Sequence, residues 1–114
     1  MSNFQNRQAY ADASQFRLCK VALRIASAVL HEHTHSAVLE HCTVLESRPG
    51  AGRNQVVIVV GIPVVGTDFV PAVTALLALR GRVRSELARC TQRKRAPAVE
   101  FEVVPLGHKS MNMN

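Results

Sequence analysis

The chain has 114 residues, of which 47% are hydrophobic, so it can form one compact domain with a buried core but not two. Its formal net charge is +6 and its pI about 10.1, and seven of its 14 Lys and Arg residues lie between positions 80 and 95, which predicts a polyanionic partner. Its three cysteines show no CxxC spacing, which argues against a disulfide framework or a zinc knuckle and favours a reducing cytosol.

The two ends of the chain are polar and aperiodic. The stretch MSNFQNRQAYADAS has no apolar segment, so it is unlike a secretory signal. We predict flexible tails at 1–13 and 107–114 and a folded domain at 14–106.

The first predicted element is an amphipathic helix from about Ser14 to His35. Its apolar residues recur at helical spacing, while Arg17, Lys20 and Arg24 gather on the opposite side. The helix is therefore expected to pack through one face and to present a basic back.

Two β-branched segments, CTVLES and QVVIVVGI, follow this helix. The turn-forming sequence RPGAGRN separates them, which predicts a hairpin with a loop of about seven residues. The second strand is apolar on both sides and is expected to be buried, although a buried helix would show the same pattern. The run VVIVVGIPVV is about half the length of a membrane span and is interrupted by Gly61 and Pro63, so no span is expected.

A second helix is predicted in GTDFVPAVTALLALR, with Thr67 or Asp68 as N-cap and Pro71 in the first turn. Gly81 is expected to kink the chain there, because glycine is a poor helix former. A third helix then begins.

The third helix both packs and presents charge. Val83, Leu87 and Cys90 share one face and are expected in the core, whereas Arg82, Arg89 and Arg93 lie roughly opposite. Pro97 is expected to end the helix. The alternating segment AVEFEVV predicts a last strand, so the element order is α-β-β-α-α-β, an α+β domain.

The basic segment RGRVRSELARCTQRKR is the most informative feature of the sequence. A solvated helix face usually mixes charges, since like-charge pairs one turn apart are destabilising. Here a single acid, Glu86, accompanies seven bases: Arg80, Arg82, Arg84, Arg89, Arg93, Lys94 and Arg95. We therefore interpret the segment as a binding surface for a nucleic acid that supplies the missing counter-charge.

Other chemistry is weakly supported. HEHTH at 31–35, followed by His41 and Cys42, would offer imidazoles to zinc, but no further ligands occur at matching spacing, so a polar helix terminus is favoured and no metal is expected. GIPVVGT lacks the Lys of a phosphate-binding loop, and no catalytic constellation is found. Only 4% of the residues are aromatic, which argues against base stacking as the binding mode.

The segment LRGRVRSELARCTQRKRAPAVEF resembles the ribosome-binding factor A family. That family has a glycine, then a helix with hydrophobic-Arg-x-x-Leu-Ala, a basic turn, and Pro-x-hydrophobic-x-Phe leading a strand. The matching positions here are Gly81, Val83, Arg84, Leu87, Ala88, Pro97, Val99 and Phe101. The resemblance implies a type II KH-like fold, with a three-stranded sheet packed against helices and a kinked helix-Gly-helix.

The resemblance also implies a function, namely binding ribosomal RNA of the immature small (30S) subunit and assisting its maturation and rRNA processing. The implied RNA contacts are Arg80, Arg82, Arg84, Arg89, Arg93, Lys94 and Arg95, with Gly81 setting the angle between the helices and Lys20 and Arg24 extending the surface. A monomeric, cytoplasmic, non-enzymatic protein without cofactor, metal or small-molecule substrate is then expected. The sequence departs from the family at Leu79 and Val104, which leaves open a paralogue with another RNA target.

Two other functional classes stay open at this point. A helix, a glycine-containing turn and a basic helix also describe a DNA-binding helix-turn-helix regulator. Against it, Gln92 is the single Asn or Gln residue in the basic segment that could read bases. The third class is a protein-interaction or metal-storage module built on HEHTH.

Overall fold

The computed structural model describes residues 13–33, 36–65 and 69–107. It contains α1 (Ala13–His31), β1 (Thr43–Pro49), β2 (Gln55–Pro63), α2 (Phe69–Ala78), α3 (Arg80–Thr91) and β3 (Ala98–Leu106). The predicted order α-β-β-α-α-β is confirmed. The predicted tails lie almost entirely outside the described residues, as do the N-cap candidates Thr67 and Asp68, so those predictions stand untested.

The three strands form one sheet in the order β1-β2-β3. β1 pairs antiparallel with β2, from Thr43 opposite Gly61 to Pro49 opposite Val56, and β3 pairs with β2 in parallel. β2 is therefore the central strand, which explains why its sequence is apolar on both sides.

The core lies between one face of the sheet and the helices. Val56, Ile58, Val60 and Ile62 of β2 are fully buried on this face. The apolar side of α1 covers them, and α3 contributes two fully buried residues, Val83 and Leu87. Since fully burying an aliphatic side chain contributes about 1.5–3 kcal/mol, this layer fixes where α3 sits.

The hairpin loop is shorter than predicted. β1 continues through Arg48 to Pro49, so the loop spans residues 50–54. β1 is an edge strand, where a proline is tolerated because its missing N–H breaks no ladder hydrogen bond. The Gly50 N–H closes the loop on the Gln55 carbonyl oxygen at 3.0 Å.

The first and third helices end earlier than predicted. α1 ends at His31 rather than near His35. α3 ends at Thr91, because Gln92 adopts a left-handed conformation (φ 53°) and donates its N–H to the Ala88 carbonyl oxygen at 2.9 Å. The prediction that Pro97 ends the helix is therefore wrong, and Pro97 is instead buried at the entry to β3.

Among the residues described, no helix combines the length and apolarity that a membrane span requires.

Candidate nucleic-acid interface

Two arginines at the start of the basic segment are paired with acids that lie far away in the sequence. Arg80 lies 3.6 Å from Glu100 of β3, and Arg82 lies 2.7 Å from Glu32, just after α1. Within α3, Glu86 pairs with Arg89 and lies 3.9 Å from Arg82. The prediction that Glu86 alone faces seven bases is therefore wrong.

These ion pairs reduce the charge of the helix without removing it. Seven basic residues against three carboxylates leave an excess of four positive charges. The arginine side chains of all three pairs are exposed, and an exposed pair contributes only about 0–1 kcal/mol. A phosphate can therefore replace such a carboxylate, at a cost of up to about 1 kcal/mol for each pair.

Arg84 has a different environment. Its Nε donates to the Pro97 carbonyl oxygen at 3.1 Å, which ties the middle of α3 to the segment that leads into β3. The bond uses one of five guanidinium N–H groups, so the rest of this exposed side chain stays available.

Arg93 is held by the fold rather than displayed on the helix. It follows the end of α3, and its Nη1 donates to Asn54 Oδ1 at 3.1 Å. Its Nη2 donates to both the carbonyl oxygen and the hydroxyl of Ser14, at 3.2 and 2.7 Å. The prediction that Arg93 continues the band of Arg82 and Arg89 is therefore wrong.

Lys94 and Arg95 lie in the turn after α3, and both are exposed. Within the part of the chain that the structure describes, neither side chain makes an ion pair or a hydrogen bond. They are the least neutralised members of the basic segment.

The helix α1 packs against α3, which is required if Lys20 and Arg24 are to extend the basic surface of α3. Lys20 and Arg24 are both exposed, and the Lys20 ammonium lies 5.4 Å from the centroid of the Phe16 ring. Arg17 on the same side of α1 lines a groove together with Arg93 and Thr91. Arg17 is not among the predicted RNA contacts, although its spacing to Lys20 and Arg24 places the three on one helical side.

An open groove of about 500 Å³ runs between the junction of α2 and α3 and the strand β3. Its lining includes the apolar Leu77 and Val99, two arginines (Arg80 and Arg84) and Glu100. The groove therefore joins apolar and cationic groups, a combination that suits a nucleotide chain, although Glu100 would repel a phosphate placed beside it.

Gly81 does not make the break between the helices. The interruption falls at Leu79, whose N–H bonds to the Leu76 carbonyl oxygen at 2.9 Å and whose side chain packs against the core. Gly81 lies inside α3 without a positive φ, and a Cβ atom there would meet nothing within 4 Å. The predicted interruption between the two helices is confirmed, but it falls at Leu79 and not at Gly81.

Two further predictions concern Cys90 and the histidine-rich segment HEHTH. Cys90 was expected in the core but is exposed, because the groove beside Arg17 leaves the last turn of α3 uncovered. Of HEHTH, His31 lines a cavity with Cys42, and His33 Nδ1 lies 2.9 Å from the Val29 carbonyl oxygen. Within the described ranges, which exclude His35, no group of three His, Cys, Asp or Glu residues is arranged to hold a metal.

Comparison with known proteins yields one informative match. No protein-family model matches the sequence, and no curated protein matches it significantly. The fold is similar to the crystal structure of ribosome-binding factor A from Thermus thermophilus, with a TM-score of 0.61 and 19% sequence identity. The match covers 78% of this chain and 94% of that one. The resemblance seen in the sequence is thereby confirmed for the tertiary structure, and the chain has the α+β fold of ribosome-binding factor A.

Proposed function

We propose that this protein binds ribosomal RNA of the immature small subunit and assists its maturation, without catalysing a reaction and without a cofactor. The observation that carries the proposal is the similarity of nearly the whole domain to a ribosome-binding factor. The excess of positive charge on α3 and the following turn supports it, because phosphate contacts supply most of the affinity for a folded RNA.

The mode of binding follows from the surface. The basic residues are mainly arginines, which form charge-assisted, often bidentate bonds to phosphates. Phe101 is the aromatic residue of β3, and it is half-buried against the core, so it is not available as a stacking platform. The protein would therefore recognise the shape and backbone of folded RNA rather than unstacked bases. A monomer acting in the cytoplasm, where ribosomal subunits assemble, fits this role.

Cosedimentation with separated ribosomal subunits tests the proposal. We expect the protein to pellet with immature small subunits and to stay in the supernatant with large subunits. If about four phosphates are neutralised, raising salt from about 50 to 200 mM weakens binding on the order of a hundredfold, taking the duplex-DNA slope as a guide. Association with neither subunit at low salt would refute the proposal.

Competition separates this function from the DNA-binding alternative. We expect structured ribosomal RNA to displace the protein from small subunits at lower concentration than duplex DNA of equal length. The shallow, wide minor groove of A-form RNA offers 2′-hydroxyls that DNA lacks. Tighter binding to a duplex DNA would instead favour a regulator.

A further inference from the structure

The start of α1, the end of α3 and the β1–β2 loop meet at one end of the molecule. Five basic residues belong to these segments, and we call them the basic pole: Arg17, Arg53, Arg93, Lys94 and Arg95. Arg17 and Arg93 line an open groove of about 370 Å³ between the two helices. Arg53 is exposed and precedes Asn54 in the loop.

Asn54 fastens the loop to the turn that carries Lys94 and Arg95. Its Nδ2 donates to the Arg95 carbonyl oxygen at 3.2 Å, and its Oδ1 accepts from Arg93 at 3.1 Å. Its own carbonyl oxygen accepts from the Ala98 N–H at 2.9 Å. The turn is therefore held by its backbone and by Arg93, while the side chains of Lys94 and Arg95 remain exposed. A turn ordered in advance loses less entropy on binding.

No described carboxylate neutralises the basic pole. Five of the six glutamates in the described residues pair with arginines outside the pole, and the sixth, Glu40, contacts His41; the five are Glu32, Glu46, Glu86, Glu100 and Glu102. The two aspartates, Asp12 and Asp68, lie outside the described residues. The first turns of α3, in contrast, have Glu32 and Glu100 beside Arg82 and Arg80.

We propose that the basic pole binds the phosphate backbone of the RNA and provides more of the affinity than Arg80 and Arg82, the paired arginines at the start of α3. This inference rests on the proposed function and names the part of the surface that provides the affinity. Lys94, Arg95 and Arg53 contact phosphates through exposed cationic groups. Arg17 and Arg93 receive a neighbouring phosphate at the groove. Because unpaired cations have no carboxylate to release, their phosphate contacts contribute more to binding than those of paired ones.

Two matched double variants test the proposal. Lys94→Ala/Arg95→Ala and Arg80→Ala/Arg82→Ala each remove two exposed positive charges. About 14 Å of helix, from Arg82 to Thr91, lies between the two sites, which exceeds the Debye length of about 8 Å at physiological salt. With an RNA duplex of about 20 base pairs in about 150 mM salt, we expect the first variant to bind roughly thirtyfold more weakly, with a salt slope lower by about two. The second should lose less than about threefold. An equal or larger loss in the second variant would overturn the proposal.

The wild-type protein offers an independent test through Cys90. This exposed thiol lines the groove between Arg17 and Arg93. At about 90% occupancy by the RNA duplex, alkylation of Cys90 by iodoacetamide should slow about tenfold, because only the free protein then reacts. Mass spectrometry identifies the modified cysteine. An unchanged alkylation rate in saturating RNA would contradict a phosphate backbone at the pole.

The outcomes separate this inference from the proposed function. If Lys94→Ala/Arg95→Ala loses RNA-duplex binding but the wild-type protein fails to cosediment with small subunits, RNA binding by the basic pole is supported and the ribosomal role is refuted. If the wild-type protein cosediments and Arg80→Ala/Arg82→Ala alone loses that association, the ribosomal role is supported and the role of the basic pole is refuted. Absence of RNA-duplex binding at low salt would refute the role of the pole, whereas the ribosomal role would be refuted only if the protein also fails to cosediment with small subunits.

Discussion

Replacing Arg93 by alanine should destabilise the protein, although Arg93 belongs to a segment that the sequence predicts to be a binding surface. The substitution removes three hydrogen bonds, one to Asn54 and two to Ser14. Ser14 lies at the start of α1 and Asn54 at the base of the hairpin loop, so Arg93 holds three separate segments together.

The magnitude follows from the number of bonds and their exposure. A hydrogen bond contributes a net of about 0.5–1.5 kcal/mol, and a buried one with a charged partner about 1.5–3 kcal/mol. The bonds to Ser14 are exposed, which lowers their contribution. We therefore expect a loss of about 2 kcal/mol in the free energy of unfolding, equivalent to a decrease in Tm of about 10 °C for a domain of this size.

Urea denaturation followed by circular dichroism measures this loss. Lys94→Ala is the matched control, since Lys94 is adjacent, exposed and without a partner in the described residues, and it should change the free energy of unfolding by no more than about 0.5 kcal/mol. Arg93→Lys keeps the charge but not the fork of donors, so it should lose most of the same stability. Equal stability of Arg93→Ala and Lys94→Ala would refute the reasoning.

Three other predictions concern stability and the thiols. Gly81→Ala should raise the urea midpoint, by about 0.5–1 kcal/mol in the free energy of unfolding, because position 81 is helical with open space around it; a decrease would mean that the glycine is needed for the backbone. Cys90 should be the fastest thiol to react with a disulfide reagent near neutral pH, since it is exposed. Burial raises the pKa of Cys19 and of Cys42 and so lowers their thiolate fraction. Faster labelling of Cys19 or Cys42 than of Cys90 would contradict the packing of these two thiols. The raised pKa values mean that the folded state binds the two thiol protons more tightly than the unfolded chain does. The free energy of unfolding should therefore be unaffected by these groups below the ordinary thiol pKa of 9.0 and should decrease as pH rises above it. The decrease should be smaller in Cys19→Ala/Cys42→Ala.

Much of the fold could be predicted because its signals are local. The spacing of Leu18, Ala22 and Val29 requires a helix with one buried side, and the alternation of Val99 with Glu100 requires a strand with one exposed face. Those patterns do not specify which strands pair or in what direction. The parallel pairing of β3 with β2 depends on α2 and α3 crossing the sheet between them.

The candidate site was less predictable because its electrostatics depend on contacts between distant residues. Glu32 and Arg82 are 50 residues apart, and Ser14 and Arg93 are 79 apart. Charge counts within a segment take no account of such partners. Cys90 shows the same limit, since a helical spacing gives the face of a residue but not whether a neighbouring helix reaches that far.

The sequence by itself determined the order of the elements, the apolar character of the second strand and the concentration of positive charge after position 80, because each depends on neighbouring residues. Only the tertiary structure decided which of those charges are neutralised. It brings Glu32, which follows α1, and Glu100 of β3 to the start of α3, and it leaves the turn at 94–95 without a paired carboxylate in the described residues. The physical reason is that ion pairs act over a few ångströms, and only chain packing brings residues from separate elements that close.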